Sequence, residues 1–153
     1  MDSWKIKETS LDQMIPLIRE QLAEGKTVRL APKGTSMLPL LRQGKDSVVL
    51  SPLPDKLRKY DVPLYQRESG QYVLHRVIRV GQTYTCIGDN QFAEEPGLTH
   101  SQMIAVVSAV CRNGKVYPMD ALWQKFYCRF WHYTRPLRHF WLRGVGFLRR
   151  LLK

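Results

Sequence analysis

The chain has 153 residues, enough for one domain with a short appendage. With 44% hydrophobic and 24% charged residues it can bury a core, which excludes a wholly disordered chain. Its formal charge of +11 is uneven: residues 1–120 hold 16 basic and 13 acidic side chains, whereas residues 121–153 hold eight basic and none acidic.

In chain order, residues 10–25 predict a helix. Ser10 and Gln13 fit a capping box, Gly25 fits a C-terminal stop, and Leu11, Met14, Ile15, Ile18 and Leu22 recur at helical spacing. Pro16 marks either its first turn or a kink. After Gly25 the period changes to two. Strands are predicted over Thr27–Ala31, Ser47–Leu50, Val62–Gln66, Tyr72–Val80, Gln82–Ile87, Met103–Cys111 and Lys115–Pro118. Glu68-Ser69-Gly70, Gly88-Asp89-Asn90 and Asn113-Gly114 are turn signals, the last the strongest for a hairpin. This pattern predicts a mainly β domain with a coiled, partly closed sheet. From Trp123 onward apolar residues return to helical spacing on both sides of Pro136, with Lys125, Arg129, Arg135, Arg138, Arg143, Arg149, Arg150 and Lys153 interspersed. The expected organisation is an N-terminal helix (1–26), a β domain (27–119) and a basic amphipathic helical tail (120–153).

Other classes lose support. No run of about 18 apolar residues marks a membrane-crossing helix. The opening MDSWKIKETS has no apolar core of the secretory type, so a cytoplasmic body is expected. Cys86, Cys111 and Cys128 have no paired spacing, which argues against a disulfide framework or a zinc site. His100, His132 and His139 form no metal set; the last two are expected on the polar faces of the tail helices.

Three places carry chemistry. Ser36 follows the Gly34-Thr35 turn, where a hydroxyl and a backbone N–H can be presented together. Met37 and Pro39 would shape that turn, and helix or turn capping is the plainer role for Ser36. His75 lies in a predicted strand with Val73 and Val77 on its face, and it titrates in the range a general base needs. Asp89, Glu94 and Glu95 are carboxylates that could orient an imidazole, or simply serve a turn and a solvated loop.

Together, Gly34-x-Ser36-Met37-x-Pro39, then His75-Arg76-Val77, then Gly88-Asp89-Asn90 resemble the signal peptidase I and LexA-like serine peptidases. The resemblance spans roughly residues 27–112, and Tyr60–Tyr65 is similar to the family's glycine-aspartate strand start. It implies a mostly β peptidase domain and a serine endopeptidase with Ser36 as nucleophile. His75 stands where the bacterial members carry a lysine base, so the chain resembles the Ser-His branch. In that branch an acid soon after Gly-Asp-Asn can complete a triad; Glu95, with Glu94 beside it, and Asp89 are the candidates. Gly34 replaces a hydroxyl-bearing residue of some bacterial members, so the oxyanion would rest on backbone N–H groups, chiefly that of Ser36, or on Thr35. The substrate implied is a peptide or protein precursor with small side chains near the cut, and no cofactor or metal is implied. The single helix before residue 27 is too short for the DNA-binding domain of LexA-like repressors. The alternative is a catalytically inactive peptide- or membrane-binding member of the same fold.

The basic tail is expected to meet an anionic membrane surface from the cytoplasmic side, with Trp123, Trp131, Trp141, Phe126, Phe130, Phe140 and Phe147 at the headgroup boundary. Packing of these helices on the domain or a partner is the competing reading. Nucleic-acid binding is the least favoured.

Overall fold

The computed structural model describes residues 11–151, with side chains described from Leu11 to Val145. The first helix, α1 (Leu11–Ala23), buries Ile15, Ile18 and Leu22, one face at helical spacing. Pro16 sits inside it, where it removes the bond its own N–H would have made and crowds the carbonyl four residues back. The helix stops as the sequence predicts: Gly25 N–H donates to Leu22 O and Lys26 N–H to Gln21 O, both at 3.0 Å, the paired bonds of a Schellman motif. Ser10, the expected cap, lies outside the described residues.

Among the described residues nine strands follow: β1 (Val28–Leu30), β2 (Asp46–Ser51), β3 (Pro63–Gln66), β4 (Tyr72–Leu74), β5 (Arg76–Val80), β6 (Tyr84–Ile87), β7 (Glu95–Leu98), β8 (Met103–Arg112) and β9 (Lys115–Pro118). The helices α2 (Leu122–Tyr133) and α3 (Arg135–Leu151) end the described chain. The protein is mainly β, with two antiparallel sheets. The larger runs β1-β2-β8-β3-β4, with β9 also on β8; the smaller is β5-β6-β7. The ten-residue β8 organises the larger sheet. Val106 pairs with Ser51 of β2 and Pro63 of β3, and Cys111 pairs with Ser47 of β2 and Val116 of β9. β2 therefore takes one edge of β8, while β3 and β9 share the other. The β8–β9 turn has Asn113 at φ 51° and Gly114 at φ 74°, as a two-residue type I′ hairpin requires.

Two expectations are corrected here. The sheet is not partly closed: the strands form two open sheets. The predicted strand Tyr72–Val80 is two strands, broken at His75, with β4 in the larger sheet and β5 in the smaller. Beyond His75 the chain changes partners. Val77 N–H donates to Asp61 O and Tyr60 N–H to Val77 O, at 2.8 and 2.7 Å, so the edge of β5 away from β6 is held by the segment before β3. One core lies between α1, the larger sheet and the Met37–Leu41 segment, centred on Ile18, Leu50, Leu64 and Val107. A second joins Tyr65 and Met103 of the larger sheet to Val77, Tyr84 and Cys86 of the smaller. Period two on β3 sends neighbours to different cores, Leu64 to the first and Tyr65 to the second.

Candidate active site

The Ser36 turn is built by anchoring on one side and clamping on the other. Gly34 has φ +91°, a conformation that strains any side chain with a Cβ, and its N–H donates to Gln43 Oε1 at 2.9 Å. Met37, only 4% exposed, sinks into the first core beside Leu40 and Leu41. Leu38 N–H closes back on Thr35 O at 3.2 Å. Ser36, half-buried between these anchors, and the exposed Thr35 are held from across the fold. Asn90 N–H donates to Ser36 O at 2.8 Å, and Asn90 Nδ2 donates to Thr35 O at 3.2 Å. A Cβ on Gly88 would stand 2.7 Å from Ser36 O, so the Gly88-Asp89-Asn90 turn approaches the serine as closely as a glycine permits.

His75 sits at the passage between the two sheets and is 1% exposed. Its Nδ1 lies 3.0 Å from Glu95 Oε1 and 3.3 Å from Tyr65 Oη. Tyr65 donates its hydroxyl to Glu95 Oε2 at 3.0 Å. Arg67 Nε donates to the same oxygen at 2.9 Å, and Arg67 Nη2 donates to Oε1. The carboxylate is thus gripped from two sides while it faces the imidazole. A neutral ring that donates Nδ1–H to Glu95 keeps Nε2 as its acceptor. Burial pushes the His75 pKa below the ordinary histidine value, and the opposing charge of Glu95 only partly restores it. Burial works against the charge of Glu95 too, but Arg67, Tyr65 and His75 outweigh it and hold the carboxyl below its ordinary range. Burial, then the Glu95 charge, pushes the Cys86 thiol up to about 12, so this neighbour is not a nucleophile at neutral pH.

Ser36 and His75 line the same cleft, about 680 Å³ in volume, together with Leu30, Met37, Leu64 and Leu74 and with Leu11 and Met14 of α1. No hydrogen bond joins the Ser36 hydroxyl to the His75 ring among the described residues. A shallower groove lined by Arg67, Gln91, Phe92, Ala93 and Glu95 adjoins this cleft through Arg67 and Gln91.

The three candidate acids part company. Glu95 lies on β7, opposite Cys86, not in a loop; Pro96 and Gly97 hide that strand from any pattern of period two. Glu94 turns away and pairs with Arg79. Asp89 is fully buried and engages Arg76, itself 2% exposed, through Nε at 2.8 Å and Nη2 at 2.7 Å. Arg76 also donates to Tyr60 O at 3.0 Å and to Cys128 Sγ at 2.8 Å. Asp89 therefore braces the fold and does not touch His75. Sequence reading missed Tyr65 and Arg67. The signal for them was period two along β3 and the residue that follows it, which puts Tyr65 and Arg67 on one face, combined with the register Tyr65↔Val73 that makes His75 the diagonal neighbour of Tyr65.

The tail helices also depart from expectation. Tyr127 Oη donates to Asp89 Oδ2 at 3.1 Å and Trp131 Nε1 to Asp89 O at 2.7 Å, so Trp131 faces the domain. Arg138 lies 3.6 Å from the Trp131 ring centroid. His132 packs on the Tyr60 ring and His139 on Phe92, with centroids 5.8 and 4.6 Å apart, rather than joining a polar face. His100 meets Tyr84 Oη at 3.1 Å. The Phe147 side chain lies outside those described. Among the described residues no group of His, Cys, Asp and Glu is arranged to hold a metal ion. Likewise, no helix there is long and apolar enough to cross a membrane. Comparison of the chain with protein-family models, curated proteins and solved structures returned no match.

Proposed function

We propose that this chain is a serine endopeptidase of the signal-peptidase-like kind, with Ser36 as nucleophile, His75 as general base and Glu95 as the acid that orients it. The observation that carries this reading is the Glu95–His75 contact at 3.0 Å, on a ring that lines the same cleft as Ser36. In the reaction, Ser36 Oγ attacks the scissile carbonyl and passes its proton to His75 Nε2. Glu95 then faces the imidazolium through Nδ1–H and stabilises it. The Ser36 N–H serves the developing oxyanion, with Thr35 beside it. Collapse of the tetrahedral intermediate breaks the C–N bond, and His75 returns the proton to the leaving amine. Water, activated by the same base, then hydrolyses the acyl-serine. The apolar walls of the cleft suit a peptide with small apolar side chains beside the cut.

The test is labelling with a serine-directed acylating reagent, read by intact mass and peptide mapping, alongside cleavage of a mixed peptide library. The wild type is expected to carry an adduct on Ser36 and to cut the library. Ser36→Ala and His75→Ala are expected to lose both. A wild type that cuts no peptide and takes no label would overturn the proposal and favour a peptide-binding protein of the same fold. The unbonded Ser36–His75 pair is the observation on that side.

A further inference from the structure

The two helices after the β domain carry a surface with no assigned purpose. Leu122, Phe126, Phe130, Tyr133, Leu137 and Phe140 are between 54% and 84% exposed, with Trp123 and Trp141 flanking them. Their spacing, mostly three and four residues apart, places them on one side of α2 and α3. They form an apolar stripe following about 30 Å of helix. Stripes of this size on a soluble surface mark a contact with something else.

The domain itself does not cover this stripe, because the opposite side of α2 is already seated on it. Gln124 and Cys128 are buried, and Tyr127 and Trp131 are bonded to Asp89. The stripe therefore points away from the β sheets. Along one margin stand the exposed cations Lys125, Arg129 and Arg143, and no acidic residue occurs from 121 to 153. A second copy docked on the same face would bring these like charges together. Leucines and phenylalanines side by side suit acyl chains better than the stacked bases of a nucleic acid, where aromatic platforms alternate with cationic contacts.

We propose that the outer side of α2 and α3 docks in the plane of an anionic lipid bilayer. The aromatic and leucine side chains sink to the headgroup boundary, and Lys125, Arg129 and Arg143 meet lipid phosphates. The attachment is peripheral, since neither helix is long and apolar enough to cross. Behind the docked face, Tyr127 and Trp131 on the inner side of α2 bond to Asp89, in the turn whose Asn90 holds Ser36. On the peptidase reading proposed above, docking would hold the Ser36 cleft in one orientation over substrates at the bilayer surface.

Flotation of the full chain with vesicles tests this without reference to activity. Phosphatidylcholine vesicles, alone or mixed with phosphatidylglycerol, would be compared with the triple variants Phe126→Ser/Phe130→Ser/Phe140→Ser and Lys125→Glu/Arg129→Glu/Arg143→Glu. All altered side chains are exposed, and unchanged thermal unfolding would confirm that each variant folds. The wild type is expected to float with the mixed vesicles, with its tryptophan emission moved to shorter wavelength. Each variant is expected to bind about a hundredfold more weakly or less. Overturning results are a wild type that stays unbound, equal binding with and without phosphatidylglycerol, or a folded apolar variant that binds normally. A concentration-dependent dimer abolished by the apolar variant, with no vesicle binding, would also overturn it and assign the face to a second copy. Loss of labelling in Ser36→Ala with intact flotation would keep this inference separate from the peptidase reading.

Discussion

Replacing Asp89 by Asn separates a brace from a catalyst. The Asp89 carboxylate is fully buried, holds both bonds from Arg76 and receives the Tyr127 hydroxyl. Asn in its place keeps one acceptor oxygen but turns an N–H toward a guanidinium N–H, and it leaves the Arg76 cation without its counter-charge. Breaking one partner of a buried pair costs about 3–5 kcal/mol. For a chain of this size that lowers Tm by roughly 6–20 °C. Urea denaturation would read the same loss as a lower midpoint at an unchanged slope. Arg76→Met alone is expected to cost a similar amount, because it strands the buried carboxylate. The double variant Arg76→Met/Asp89→Leu should recover most of the loss, with a coupling of at least about 2 kcal/mol. Below its melting point, Asp89→Asn should still label at Ser36 within a few-fold of the wild type. An Asp89→Asn protein that melts like the wild type yet loses labelling by orders of magnitude would refute this assignment and return Asp89 to the reaction.

Glu95→Gln should do the reverse, changing Tm little while lowering kcat/KM on a cleaved peptide by about 10²–10⁴-fold. The acid limb of kcat/KM for the wild type should lie below the ordinary histidine range, because burial holds His75 neutral there. Removing the Glu95 charge should move that limb lower still; a limb unmoved in Glu95→Gln would contradict the assigned pair. Gly88→Ala would drive a Cβ to 2.7 Å from the Ser36 carbonyl oxygen, a backbone atom that cannot swing aside. It should cost about 1–3 kcal/mol in a urea titration and slow Ser36 labelling, and a change under about 0.5 kcal/mol would speak against the close approach. Gln124 is fully buried, with neither amide atom hydrogen-bonded among the described residues. Gln124→Met, of similar shape, should therefore raise stability by about 1–2 kcal/mol, whereas a loss on calorimetry would mean that the amide has a role.

Local pattern carried much of the fold. The stop at Gly25, the Asn113-Gly114 hairpin and the two tail helices are each decided by neighbours a few residues apart, although the break between the helices falls at Thr134 and Pro136 lies in the first turn of α3. The break at His75 is not of that kind. Residues 72–80 alternate evenly enough to read as one strand, and the break arises because Leu74 pairs with Leu64 while Arg76 pairs with Ile87. Glu95 was legible as a candidate but not as the one chosen, since β7 is Glu-Pro-Gly-Leu and exists only through its pairing with β6. The tail shows a third limit. Large apolar side chains occupy most of the circumference of α2, so period alone could not tell which side faces the domain. Gln124 and Cys128, buried among them, mark the inner side, and Trp131 follows them inward rather than outward.

The tripeptide Gly88-Asp89-Asn90 shows how one turn can join these separate parts. Gly88 permits the approach to the Ser36 carbonyl, and Asn90 clamps Thr35 and Ser36. Between them Asp89 points the other way, into Arg76 and α2. The adjacent pair His75-Arg76 has the same division. His75 serves the cleft through Glu95, and Arg76 serves the buried ion pair. A strand crossing between sheets is what lets consecutive residues reach such different surroundings. The serine turn, the imidazole and the amphipathic helices are thus linked through one tripeptide and one pair, in each of which a residue next to the cleft machinery adjoins a residue of the buried ion pair against α2. α2 meets this network at both members of the buried pair: Asp89 accepts from Tyr127 and Trp131, and Arg76 donates to Cys128, so the helix and the turn that holds Ser36 share one ion pair.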